Sequence, residues 1–61
     1  MYYVVVTSER DGVEYNHIVL DHRGKPIASR DHRLQGYLLE VAKNCSPASW
    51  KDRLRVVEGD A

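Results

Sequence analysis

Tyr2-Tyr3-Val4-Val5-Val6-Thr7 is the stretch on which the fold turns. All six residues are β-branched or aromatic, the types that fit a pleated, half-buried surface, so the run reads as a strand over residues 2–8. It is apolar on both faces, and alternation therefore picks no inside. Glu9-Arg10-Asp11-Gly12 follows, and Asp-Gly is a strong signal for a tight hairpin turn because both central positions of that turn need positive φ. A second, antiparallel strand is expected over residues 13–21. Its odd positions are Val13, Tyr15, His17 and Val19, and its even positions are Glu14, Asn16, Ile18 and Leu20. The apolar/polar alternation is clean up to His17 and is lost after it. Two explanations stand side by side: a bulge shifts the phase, or both faces are covered from Ile18 onward.

Outward from the hairpin, Asp21-His22-Arg23-Gly24-Lys25 reads as a second turn, with Gly24 free to take positive φ. Pro26-Ile27-Ala28-Ser29 reads as a short third strand, since a proline at a strand start loses no ladder bond. Residues 2–29 then form a three-stranded antiparallel meander. Beyond them the period changes. Leu34, Tyr37, Leu38, Val41, Ala42 and Cys45 fall on one helical face, predicting an amphipathic helix over residues 31–45 packed on the sheet. Ser29 or Asp31 supplies the N-cap, Gly36 allows another backbone to approach, and Leu39 lies off the stripe. Pro47 ends the helix. Ser46-Pro47 reads as the start of a short helical turn through Trp50, residues 53–58 as a candidate fourth strand, and Gly59-Asp60-Ala61 as a fraying end. The class is α+β, one domain over residues 1–61.

Composition narrows the function. Nine Lys+Arg balance nine Asp+Glu, 43 % of residues are apolar, and there is one cysteine. Sixty-one residues suit one core and not two. The apolar content at zero net charge excludes a disordered chain, and a single cysteine excludes an internal disulfide. No apolar run approaches the ~18 residues of a membrane span, and no leader-like segment opens the chain. A cytoplasmic protein with no membrane partner is the resulting expectation.

Gly24-Lys25-Pro26-Ile27-Ala28-Ser29, together with Val41-Ala42-Lys43-Asn44-Cys45 and Ser46-Pro47, resembles the small YegP-like ββ-β-α proteins over residues 2–47. The segment Arg30-Asp31-His32-Arg33 departs from that pattern, which has Gly-Tyr-x-x-Lys before the helix. The resemblance implies an architecture and carries no site residues.

Each candidate chemistry is set against these residues. His17, His22 and His32, with Asp21, Asp31 and Cys45, are the metal-ligand types, but no spacing matches a zinc site, so no metal and no cofactor is expected. Cys45, on the apolar face at the negative end of the helix, reads as a core cysteine and not a nucleophile. One helix on a small sheet offers no deep cleft of the kind enzymes use, so no catalytic residue is assigned. Arg23, Lys25, Arg30 and Arg33 form a candidate nucleic-acid patch, an alternative weakened by the interleaved Asp21, Asp31 and Glu40 and by the lack of stacking aromatics.

A protein contact fits better. One helix covers one face of the sheet, so apolar residues on the second face need a partner or a cover. Tyr2, Val4, Val6, Ile18, Leu20, Leu39 and Trp50 are the candidate partner-binding residues; the competing expectation is that the C-terminal segment folds back with Trp50 as its plug. The function expected is a small non-enzymatic interaction module, a homodimer or an inhibitor or adaptor of a larger protein. Small charge-balanced proteins of phage and mobile elements supply the analogy.

Overall fold

The computed structural model describes residues 1–59. Its elements run β1 (Tyr2–Arg10), β2 (Val13–Ile18), β3 (Ala28–Ser29), α1 (Gln35–Cys45) and β4 (Leu54–Glu58), with single 3-10 turns at His32–Leu34 and Ala48–Trp50. All strand pairings are antiparallel and α1 packs on the sheet. The α+β class and the fourth strand are therefore present. Among the described residues no helix is long and apolar enough to cross a membrane.

The first hairpin forms as its turn dictates. Asp11 (φ 54°) and Gly12 (φ 80°) both occupy the left-handed region, which the right-handed twist of two joined strands demands. The ladder then runs without interruption from Arg10↔Val13 to Val5↔Ile18. No bulge shifts the phase at His17. Val19 continues it, its N–H donating to Val4 O at 2.9 Å.

The strand order differs from a sequential meander. β1 is central, and β2 and β3 share one of its edges: β2 pairs with Val5–Arg10, and β3 with Tyr2 and Tyr3. Between them the chain makes a clipped excursion. Asp21 Oδ1 accepts from the N–H groups of Arg23 (2.8 Å) and Lys25 (3.0 Å), and Gly24 sits at φ 82°. Pro26, which has no N–H to give, stands in an isolated bridge with Leu20. The return is driven by Ile27. Val4 N–H donates to Ile27 O and Ile27 N–H to Val19 O, which sets Val4, Val19 and Ile27 side by side, all buried. A third strand on the far side of β2 would carry Ile27 away from the helix and leave it in water.

The core is Val4, Val6, Val19, Ile27, Leu38 and Ala42, with Tyr2, Leu39, Val41, Trp50, Leu54 and Val56 packed around it. β4 completes it by pairing with β1 on the edge opposite β2, setting Val56 against Val4 and Leu54 against Val6. Only the middle of the expected helical stripe is buried. Leu38 and Ala42 are covered, Leu34 and Cys45 at its two ends are exposed, and Tyr37 is 64 % exposed. The helix overhangs the sheet at both ends, so Cys45 is not a core cysteine. The buried face is rotated toward Leu39, which lies off the expected stripe and is nonetheless half-buried against the core.

Asp31 caps the first 3-10 turn by accepting from Arg33 N–H at 2.9 Å, and Ser29 Oγ accepts from Asp31 N–H at 3.1 Å. Asp31 thus caps the 3-10 turn, Ser29 only braces Asp31, and α1 itself begins at Gln35 behind Leu34 with no side-chain cap, so neither expected residue caps the helix proper. Gly36 is exposed with no neighbouring atom where a Cβ would stand, so it serves no close approach. Ser46 does not cap the turn at Ala48–Trp50: Pro47 holds that position, and Ser46 Oγ is buried without a partner among the described residues. Gly59 N–H donates to Met1 O at 2.9 Å, so the chain is still tied down there; the fraying expected of residues 60 and 61 lies outside the described residues.

Candidate functional site

The register sorts the side chains, because residues paired across an antiparallel ladder share a face. Tyr2, Val4, Val6, Ser8 and Arg10 lie on the helix side with His17, Tyr15 and Val13 of β2 and Leu54 and Val56 of β4. The opposite, open side carries Tyr3, Val5, Thr7 and Glu9 with Ile18, Asn16 and Glu14, and Arg55 and Val57 of β4. Val4 and Val6 are buried under the helix, and are thus core residues unavailable to a partner. The alternate residues, Tyr3 and Val5, are the ones on the open side. A stretch apolar on both faces holds no signal that could have chosen between the two sets.

Tyr2 and Trp50 also pack against the core on the helix side. Tyr2 stands opposite Glu58, and the hydrogen bond to that carboxylate raises the phenol above its ordinary pKa, with burial adding to it. Trp50 is half-buried on the helix side and therefore does not plug the open face. The C-terminal segment has not folded over that face but has joined the sheet edge as β4.

Of the expected contact residues, Ile18 and Leu20 do stand exposed, at 53 % and 49 %. They have company that the sequence pattern did not single out. Val13 is 51 % and Tyr15 is 47 % exposed, although both are on the helix side. The reason is where α1 sits. Its contacts fall on β4, β1 and β3, which leaves every residue of β2 exposed. β2 thus lies bare on both faces, and it ends the sheet on its side. Open hollows of about 510 and 480 Å³ flank the hairpin; Thr7, Glu14 and Arg55 border the first, and Ser8, Tyr15 and His17 the second.

The open face is partly roofed at its middle. Arg55 on β4 donates from Nη2 to Asn16 Oδ1 on β2 at 3.2 Å, and Thr7 Oγ1 donates to the same oxygen at 3.1 Å. Arg55 and Asn16 belong to strands on either side of β1, so the arginine stem crosses over the central strand. This explains how Val5, directly opposite Arg55, is buried without a helix above it.

The basic candidates are divided between two aspartate-centred turns. Arg23 and Lys25 belong to the turn held by Asp21. Arg33 donates from Nε and Nη2 to Asp31 at 3.1 and 2.9 Å, a two-pronged ion pair, while Arg30 is exposed. The backbone N–H of Lys25 holds the Asp21 carboxyl below its ordinary pKa, helped by Arg23 N–H; the Arg33 side chain does the same for Asp31, and Asp31 in turn raises Arg33. Each basic segment therefore carries its own counter-charge. Among the described residues, no three of His, Cys, Asp and Glu come together as a metal would need. In comparisons with protein families, curated proteins and solved structures, no match to this chain is found.

Proposed function

We propose that this chain is a small non-enzymatic interaction module, an inhibitor or adaptor, whose contact surface is β2 with the adjoining open side of the sheet. One observation carries the reading. Val13, Tyr15, Ile18 and Leu20 are exposed along a single strand and its extension, at the margin of the sheet. Scattered exposed apolar residues are ordinary on any protein; here they flank one strand edge, Val13 and Tyr15 on the helix side and Ile18 on the open side, so a partner that pairs with that edge touches both faces. Tyrosine is enriched in such contacts. The zero net charge fits association driven by apolar area and backbone pairing instead of a field of one sign. A cytoplasmic setting is in keeping with the lone, exposed thiol of Cys45.

The test is affinity capture with the wild-type chain and with Ile18→Glu and Tyr15→Glu, alongside measurement of self-association. Both positions are exposed, so the substitutions leave the core intact. Binding, to self or to another protein, that falls at least ~10-fold in both variants supports the reading. Binding indifferent to both substitutions, or a chain that binds nothing and stays monomeric, overturns it.

A further inference from the structure

We infer that the outer edge of β2 pairs antiparallel with the same edge of a second copy of this chain, with Asn16 on the two-fold axis. The inference rests on the interaction-module reading and gives it a partner and a register.

Backbone direction is the starting point. Along an antiparallel strand, successive residues turn their N–H and C=O alternately toward the paired strand and away from it. The two-residue turn closes Arg10 on Val13, and Val19 N–H donates to Val4 O. Val13, Tyr15, His17 and Val19 therefore bond toward β1. Glu14, Asn16 and Ile18 turn their backbone groups outward, where no described strand lies. Proteins usually blunt such an edge with proline, lysine, a bulge or a very short strand. β2 has no proline, lysine or bulge over six residues, and Glu14 is its one acidic side chain.

The edge is complementary to itself. In a two-fold antiparallel pairing, outward-turned residues must face outward-turned residues. Asn16 set against Asn16 of the second copy brings Glu14 opposite Ile18 at both ends, and all three residues then exchange both of their backbone bonds. A slip of two residues toward the Asp11-Gly12 turn leaves Ile18 unpaired on each copy, and a slip the other way sets Glu14 against Leu20, beyond the last residue of β2. In the centred register no two like charges stand opposite each other, and zero net charge removes repulsion at longer range. Tyr15 meets His17 of the second copy on the helix side, while Ile18 is covered on the open side. The result is a continuous sheet through two molecules.

The outer edge of β4 is the rival, and it is less suited. α1 already packs on β4, and the large exposed apolar residues lie elsewhere. The edge of β2 is about 20 Å long at ~3.4 Å per residue, so the joint falls below about 1,200 Å² in total and makes a weak, concentration-dependent dimer.

Sedimentation equilibrium of the whole chain from about 1 μM to about 1 mM tests this, with mass rising toward twice the monomer as expected outcome. Asn16→Pro removes an N–H that β1 does not use, so the hairpin survives while dimerisation weakens at least ~10-fold. Glu58→Pro, on the outer edge of β4, leaves the dimer unchanged. A second pair of variants does not depend on proline being tolerated. In a Cys45→Ser background, Asn16→Cys oxidises to a disulfide dimer, because hydrogen-bonded partners lie ~5.5 Å apart between Cα atoms. Glu14→Cys does not, because the two copies of residue 14 lie about 14 Å apart. A monomer at every concentration, or a dimer unmoved by Asn16→Pro, or equal cross-linking at both cysteine positions overturns the inference. A monomer that still captures another protein through Ile18 and Tyr15 overturns the second copy alone; the loss of that capture as well removes the interaction reading with it.

Discussion

Val4→Ala tests the assignment of the core face. Val4 is 0 % exposed in the first half of β1, beside Val19 and Ile27 and opposite Val56. Alanine removes two methyl groups, worth ~0.8 kcal/mol each as lost transfer energy. The site cannot collapse freely, because Val4 N–H and C=O are both held, by Ile27 O and Val19 N–H, and β4 flanks the other edge, so a cavity adds to that loss and brings it to about 2–3 kcal/mol. A domain of this size has roughly 3–9 kcal/mol in total. The variant should therefore lose a large share of its stability, with a melting midpoint lower by ~10 °C or more. Urea unfolding followed by circular dichroism, at a concentration where the chain is monomeric, measures it. Ile18→Ala is the paired control: at 53 % exposed it should cost under ~0.5 kcal/mol. Equal losses in the two variants, or a loss under ~0.5 kcal/mol for Val4→Ala, would refute the placement of the core on the even-numbered side of β1.

Two other predictions come from the turns. Gly12→Ala should cost about 1–2 kcal/mol by urea unfolding: φ is 80° and no atom stands within 4 Å of the new Cβ, so the penalty is backbone strain alone. Asp21 and Asp31 both have carboxyls held below their ordinary pKa, the first mainly by Lys25 N–H and the second mainly by the Arg33 side chain. Their contribution is complete above the ordinary aspartate value and is lost as pH falls through the lowered one. The urea midpoint should therefore fall between about pH 5 and pH 2, and Asp21→Asn should flatten that fall; a wild-type midpoint independent of pH in this window would contradict it.

Local chemistry made much of the fold legible. The Asp11-Gly12 turn is decided by two residues and their φ angles, and the helix by a spacing that any amphipathic segment shows. The strand order was less accessible. Pro26-Ile27-Ala28-Ser29 reads equally well beside β2 or beside β1, and the burial of Ile27 under a helix that comes later in the chain decides between them. The same limit hid the site. The positions of Val13 and Tyr15 on the helix side predict cover, and they are exposed because α1 sits over β1 and β4. Leu39 and Cys45 depart from the pattern for a related reason: periodicity finds a helical face, but the length and position of the sheet decide which turn of it is covered. The loss of alternation after His17 has a plain cause. Val19 belongs to the core and Ile18 to the open side, and both are apolar.

Amide hydrogen exchange along β2, followed residue by residue as concentration is raised from about 1 μM to about 1 mM, tests the central claim most directly. Tyr15 and His17, bonded toward β1, should be protected throughout. Glu14, Asn16 and Ile18 should exchange freely when dilute and gain protection together as concentration rises. Free exchange at those three amides at every concentration, or a gain that appears at β4 and not at β2, would contradict it.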